Sequence, residues 1–357
     1  MRGVLLVGNF LSGSGLGRNV IEDLADRLRL ADVPLVCAST YGSRCLRGLD
    51  MLATTIYRRR RYSVAVVDLF SGWAFAWGTT VSMLLRVLRC PHVFVLHGGG
   101  LPMFASRHGR LVRWCLGMAS RVVAPSSFLQ IQMRPYRSDV ALLPNPIDLT
   151  QFRCKVRSSV APRLVWVRAF HSIYRPWLAV EVVALLRATC PGVQLTMIGP
   201  DKGDGSLART RQMVQELGVS DRVTFVGPIP HADVPKWLDS EAIFVNTTDV
   251  DNTPVSVMEA MAAGLCIVST NVGGVPALVQ DGEEALLVPP ADAPAMAAAV
   301  RRFVDDDELA GRVSAAARRK AESWDWSVIL PRWLQLLGEL VATDSLAASR
   351  TAPRGRP

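Results

Sequence analysis

Three features of the chain predict an α/β protein made of two doubly wound parallel-sheet domains. Short apolar runs rich in Val, Ile and Leu recur along all 357 residues, each closed by a turn residue or a small polar one. Amphipathic helical stretches alternate with these runs, the pattern that covers a parallel sheet with helices on both faces. A polar joint at 148–162 splits the series in two, and a chain that is 50% apolar at this length can fill two cores.

The first domain is expected over 1–155. GVLLVG at 3–8 reads as a buried strand that runs into a glycine loop, NFLSGSGLG, and then a helix, RNVIEDLADRLRL, with Val20, Ile21, Leu24 and Leu28 on one face. VPLVCAS, SVAVVDLF, HVFVLHGG, RVVAPS and VALLP supply further strands. The uncharged run LFSGWAFAWGTTVSMLL, between Asp68 and Arg86, is about a turn short of a membrane span and contains Ser, Thr and Gly, so it reads as a buried helix and loop. The second domain, 156–322, repeats the alternation with RLVWV, VQLTMIG, RVTFVG, AIFVNT, LCIVST and EALLVP as strands. A last helical stretch at 323–341, interrupted at Pro331 and carrying Trp324, Trp326 and Trp333, is more apolar than the end of the second domain needs. It is expected to cross back onto the first domain, leaving 342–357 as a disordered tail.

Charge is distributed unevenly. The chain carries 40 Lys and Arg against 31 Asp and Glu, a net of +9. Residues 1–150 hold 18 Arg, no Lys and 8 acidic residues, a net of +10, whereas 151–357 hold 22 basic and 23 acidic residues, a net of −1. The excess in the first half predicts an anionic partner: a phospholipid surface or a phosphorylated acceptor. Nucleic acid is disfavoured, because the basic half lacks interleaved exposed aromatics and any reader motif. Seven scattered cysteines without a CxxC pair or neighbouring His argue against disulfides and structural zinc, and for a reducing cytoplasm. The N-terminus has one basic residue and too short an apolar run for a secretory signal.

In parallel α/β sheets ligands bind beyond the carboxyl ends of the strands, and two such domains facing each other would line a cleft with those ends. Asp251 and Glu259, eight positions apart, lie respectively in the loop TTDVDNTP and in the helical VSVMEAMAAG. A helix starting near Pro254 or Val255 would aim its free backbone N–H groups at the cavity both carboxylates face, which suits a polyhydroxylated anion. His97 ends the strand HVFVLHGGG beside three glycines and reads as a ligand contact rather than a core histidine. Gly13, Gly15 and Gly17 follow the first strand, where backbone can approach a phosphate. They form no clean dinucleotide fingerprint, and no acidic residue closes VPLVCAS to hold a ribose. Arg168, His171 and Arg175, in WVRAFHSIYRP, are cations placed to neutralise a diphosphate, with the choice among them open. Gly227 opens GPIPHADVPKWL, where Val226 to Ile229 either recognise a base edge or form a structural turn. Arg107, Arg110 and Arg113 fall near one helical face and suit either a membrane surface or plain solvent.

The glycine loop, LHGGG, APSSF at 124–128, LPNPIDLTQF at 143–152, VTFVG at 223–227, and DNTPVSVMEAMAAG followed by STNVGGVPALVQDGEEALLVPPAD occur in the order seen in a known family. Over nearly its whole length the chain resembles the retaining nucleotide-sugar glycosyltransferases of the GT-B fold, glycosyl transferases group 1, family four. The resemblance implies two facing Rossmann-like domains, the first binding the acceptor and the second a nucleotide sugar, with the last helix returning to the first. Glu259 would bind the ribose hydroxyls, Asp251 the donor sugar near its anomeric carbon, and His97 the sugar from the other side. Gly15, Arg168, Arg175, Gly227, Pro254 and Val255 would complete the donor site. Transfer would retain configuration, with no metal and no cofactor beyond the nucleoside diphosphate sugar. This chain departs from the pattern at Asp251, where Glu is usual, and at Ala169 and Tyr174, which stand in the positions of the family's Arg and Lys.

The expected protein is therefore a cytoplasmic enzyme, peripheral to the inner face of a membrane, that moves a sugar to a glycan or lipid-linked acceptor of the cell-envelope or polysaccharide type. A nucleotide-sugar epimerase and a non-catalytic nucleotide-sugar or glycan binding subunit are the competing readings.

Overall fold

The computed structural model describes residues 3–11, 19–157 and 159–351, with side chains through 343. It divides into two compact units, Met1–Pro146 with Trp326–Pro357, and Ile147–Asp325.

Unit 1 alternates β1 (Gly3–Val7), α1 (Val20–Leu30), β2 (Leu35–Ala38), α2 (Arg44–Tyr57), β3 (Tyr62–Leu69), α3 (Trp73–Val87), β4 (His92–Leu96), α4 (Leu101–Arg107), α5 (Gly109–Leu116), β5 (Arg121–Ala124), α6 (Ser127–Met133) and β6 (Ala141–Leu142). All its strand pairs are parallel, in the order β2-β1-β3-β4-β5-β6. Because strand side chains alternate, Leu5, Ala65, Val67 and Phe94 enter a core with α3 to α6, while Val4, Leu6, Val64, Val66 and Val93 enter another with α1.

Unit 2 runs β7 (Arg163–Val167), α7 (Pro176–Leu186), β8 (Gln194–Ile198), α8 (Ser206–Glu216), β9 (Val223–Gly227), α9 (Val234–Asp239), β10 (Ile243–Asn246), α10 (Val255–Ala262), β11 (Cys266–Thr270), α11 (Val275–Leu278), β12 (Leu286–Val288), α12 (Ala293–Asp305) and α13 (Asp307–Glu322). Its strands are again parallel, ordered β12-β11-β10-β7-β8-β9, the doubly wound arrangement.

The last helix, α14 (Trp326–Thr351), belongs to unit 1. Trp326, Ile329, Trp333, Leu337 and Leu340 follow one another at helical spacing and are all buried with α1 and the β1 and β3 face. Two expectations are thereby corrected. Pro331 does not interrupt the helix, since it sits near the amino end and the flanking residues are held by packing. Helix also continues past 341 through Thr351, so the tail does not begin at 342; residues 352–357 lie outside the described residues.

Other boundaries shift for physical reasons. The first segment of unit 1 closes at Pro146 rather than 155, because Ile147 pairs with Asp325 and both Ile147 and Phe152 enter a unit 2 core. The run expected as buried helix and loop is α3, whose outer face leaves Trp73, Met83 and Val87 exposed. Arg107 ends α4 whereas Arg110 and Arg113 lie in α5, the two helices being broken at His108, so the three arginines do not share one helix. No helix among the described residues is long and apolar enough to cross a membrane.

Candidate functional site

The strand order of unit 2 reverses between β7 and β10, the switch point outside whose strand ends such sheets bind their ligands in a crevice. Arg168 follows β7 directly. Its backbone N–H stays on the ladder, donating to the Ile198 carbonyl at 3.0 Å, so the side chain is fixed at the strand's end. Gly199 sits against the Arg168 carbonyl with φ +147°, a close approach that a Cβ would block. The Arg168 guanidinium contacts the Asp251 carboxylate and lies 4.6 Å from the Tyr174 ring centroid. Burial pushes its pKa down, while Tyr174 and then Glu259 push it back up. One cation therefore touches the first carboxylate and feels the second.

Asp251 lies in the loop after β10, and the double glycine after β11 shapes that loop. Gly273, at φ +54°, packs on the Asp251 backbone and Gly274 on that of Asn252, with the Gly274 N–H donating to the Asp251 carbonyl at 2.9 Å. Any Cβ at either position would overlap the loop. Pro254 caps α10 with an extended ψ and leaves it without a side-chain cap. The carbonyl of Pro254 takes the N–H groups of Val257 and Met258, so those of Val255 and Ser256, in the first turn, are the ones without an intrahelical acceptor. Beside them, the hydroxyls of Thr253 and Ser256 are buried without a hydrogen-bond partner among the described residues. Unsatisfied buried donors next to a buried guanidinium are what an anionic ligand would complete.

Glu259, buried on α10, is 2.6 Å through Oε1 from His231 Nε2. His231 comes from the turn that follows Gly227, which ends β9 at φ +84°. Val226 and Ile229 of this turn pack into the unit 2 core, anchoring His231 over Glu259. The two other candidate cations are held elsewhere. Arg175 forks onto Asp249, its Nε at 2.7 and 2.6 Å from the carboxylate oxygens. His171 turns towards Asp204, with Nδ1 at 3.8 Å.

In unit 1, His97 follows β4, and its Nε2 is 2.8 Å from Oδ1 of Asp68, near the end of β3. Phe70 stacks on the imidazole with centroids 4.8 Å apart, so both ring face and tautomer are constrained. Gly15, with the rest of the 12–18 loop, lies outside the described residues. Two partners escaped the sequence reading, Asp68 and His231. Asp68 was signalled by its place at the carboxyl end of SVAVVDLF, the position His97 holds in its own strand. His231 had only its proximity to a Gly-Pro turn. Among the described residues no group of three or more His, Cys, Asp and Glu side chains is gathered as for a metal ion.

Residues 161–306 match the family described as Glycosyl transferases group 1, and residues 20–151 the one described as Glycosyltransferase Family 4. The chain belongs to the group 1, family 4 glycosyltransferases. Within this family it is 26% identical over 277 residues to a D-inositol 3-phosphate glycosyltransferase of Streptomyces avermitilis, covering 71% of this chain and 60% of the relative. A D-inositol 3-phosphate glycosyltransferase of Corynebacterium glutamicum is 28% identical over 174 residues, covering 48% and 42%. The chain thus spans 60% or less of the length of these relatives. Among solved structures it is similar to sucrose-phosphate synthase from Thermosynechococcus elongatus, with a TM-score of 0.78, 20% identity and coverage of 96% and 100%. HepE of Anabaena, in complex with UDP and glucose, superposes with a TM-score of 0.72 at 18% identity, covering 95% and 100%. At such identities the likeness is one of fold, the two-domain Rossmann-like GT-B fold.

Proposed function

We propose that the protein is a retaining glycosyltransferase that moves a sugar from a nucleoside diphosphate sugar to a hydroxyl of a glycan or lipid-linked acceptor of the cell-envelope or polysaccharide type. The observation that carries this reading is the switch point of unit 2, where half-buried Arg168 contacts Asp251 and feels Glu259 beside the uncapped amino end of α10. In it Glu259, oriented by His231, accepts hydrogen bonds from the ribose hydroxyls. The donor's diphosphate takes the Val255 and Ser256 N–H groups and the orphaned hydroxyls. Asp251 accepts from a sugar hydroxyl. Arg168, not Arg175, is assigned the leaving group, because Arg175 Nε is held by both Asp249 oxygens while Arg168 Nε and Nη2 are buried without a hydrogen-bond partner among the described residues.

As the bond between the anomeric carbon and the phosphate oxygen breaks, negative charge grows on the phosphate, where a preorganised guanidinium lowers the barrier most. The acceptor oxygen bonds to the same face of that carbon and passes its proton to the departing phosphate. The nucleoside diphosphate leaves. His97, with Nε2 turned to Asp68, keeps Nδ1 for a sugar hydroxyl. Because the cation is supplied by the chain, turnover should survive a chelator.

A panel of nucleotide sugars incubated with the protein tests the reading, with UDP sugars first since HepE was solved with UDP and glucose. Transfer or hydrolysis of at least one donor, abolished in Glu259→Ala, is expected. Inertness towards every donor sinks it, and conversion of the donor into an isomeric nucleotide sugar points to an epimerase instead.

A further inference from the structure

The strand order of unit 1 reverses between β1 and β3, and a cavity of about 360 Å3 opens at their carboxyl ends. Gly8 and Asp68 form its floor and α2 and α3 its walls, so the cavity reaches the carboxylate that holds His97. Its width is set by two small residues. A Cβ at Gly48 of α2 would overlap the Trp77 indole of α3, and one at Gly8 would overlap the Asp68 carboxylate.

The cavity's chemistry is cationic and aromatic. Arg44 and Arg47, one turn apart at the start of α2, line it together with Trp73 and Trp77 of α3. Neither guanidinium has an ion-pair partner among the described residues. Asp50, three residues from Arg47, accepts from Thr54, and Asp68, which lines the cavity, is held by His97. Two unpaired arginines beside two indoles fit a phosphate ester with an apolar body.

The outer faces of the same two helices say where that body comes from. On α2, Leu46, Leu49, Ile56 and Tyr57 are exposed within one helical stripe, while Gly48, Met51 and Thr55 face inward. On α3, Trp73, Met83 and Val87 form a second exposed stripe, with Trp73 82% exposed at the cavity's edge. Arg58, Arg60, Arg86 and Arg89 are exposed at the far ends of these helices. Adjacent apolar stripes rimmed by arginine are the signature of a surface that lies on anionic lipid.

We propose that α2 and α3 dock this protein on a bilayer, and that their cavity receives the phosphate of a lipid-borne acceptor, held by Arg44 and Arg47 with its chain running out past Trp73. The inference rests on the transfer reading above and adds the acceptor's class. It also moves the membrane-facing surface from the α4 and α5 arginines to α2 and α3.

Cosedimentation of the full chain with phosphatidylcholine vesicles, plain or carrying a polyprenyl phosphate, tests it. The protein should prefer the phosphate-bearing vesicles, and salt should weaken binding. Arg44→Glu with Arg47→Glu, or Trp73→Ala alone, should weaken it by about tenfold or more, whereas Arg107→Glu with Arg110→Glu should not. All these side chains lie at least partly at the surface, and an unchanged thermal unfolding midpoint shows that the fold is kept. Equal binding to both vesicle types, wild-type binding by the α2 and α3 variants, or binding of glucose 1-phosphate with no vesicle binding overturns the proposal. Vesicle binding through Arg44 and Arg47 without turnover of any nucleotide sugar would cost the transfer reading instead. Transfer to lipid-free acceptors by a chain that ignores the vesicles would cost the docking alone.

Discussion

Arg168 carries the site's charge from an unusual direction. The family pattern puts Arg and Lys where this chain has Ala169 and Tyr174, yet Arg168 stacks on Tyr174 and reaches Asp251. Arg168→Ala should therefore lower kcat by ~10²–10³ with a smaller change in KM, the loss expected when a donor to developing charge is removed. Arg168→Lys should recover little of it, since an ammonium neither forks nor stacks as a guanidinium does. A kcat within twofold of wild type for either variant would remove Arg168 from the leaving group. His231→Ala should act differently, raising KM for the donor more than it lowers kcat, because it orients Glu259 without touching the reacting atoms. Away from the site, His92 is buried with Ser82 Oγ 2.6 Å from its Nε2, and burial lowers its pKa to about 4. The unfolded chain takes up this proton near pH 6.5 and the folded one only near 4. The stabilising contribution is whole above 6.5 and is lost as pH falls to about 4, by roughly 2–3 kcal/mol. Denaturant titrations across that window should show the loss, and His92→Gln should flatten it.

At the level of elements, the double glycine sets the loop that presents Asp251. Gly273→Ala places a side chain on the Asp251 backbone and strains a left-handed φ, so about 1–3 kcal/mol of stability should go. Turnover should fall with it even at temperatures where the variant stays folded. Retained kcat in a folded variant would mean that the loop position does not govern the chemistry. The strands were the most legible elements: every apolar run read as a strand is one, because strands of a parallel sheet covered on both faces are near-continuous apolar runs. The helix α2 was not legible, since its apolar residues Leu46, Leu49 and Ile56 face outward and its inward face is Gly48, Met51 and Thr55. A periodicity argument expects the reverse. The α4 and α5 arginines misled for a related reason, the break at His108 being invisible to residue spacing.

Across the whole molecule, α14 joins the end of the sequence to the first unit's core. Trp333 is 5% exposed there, and Trp333→Ala should cost about 3–5 kcal/mol. Amide exchange should then accelerate in β1, β3 and α1, with β7 and β10 of unit 2 protected as before; uniform loss of protection would deny the units separate cores. The fold class, the twelve strands, the family and the arginine-rich first half could all be read from the sequence, because hydrophobic period, motif order and net charge are properties of the chain itself. Where the partners of each charge lie could not. That Arg175 is spent on Asp249, that Arg168 lies on Asp251, that His231 reaches Glu259 and Asp68 reaches His97 are all pairings between residues 28 to 83 positions apart. Side-chain spacing along one element cannot encode such meetings. They are decided by strand order, which brings the ends of β7 with β10 and of β3 with β4 together.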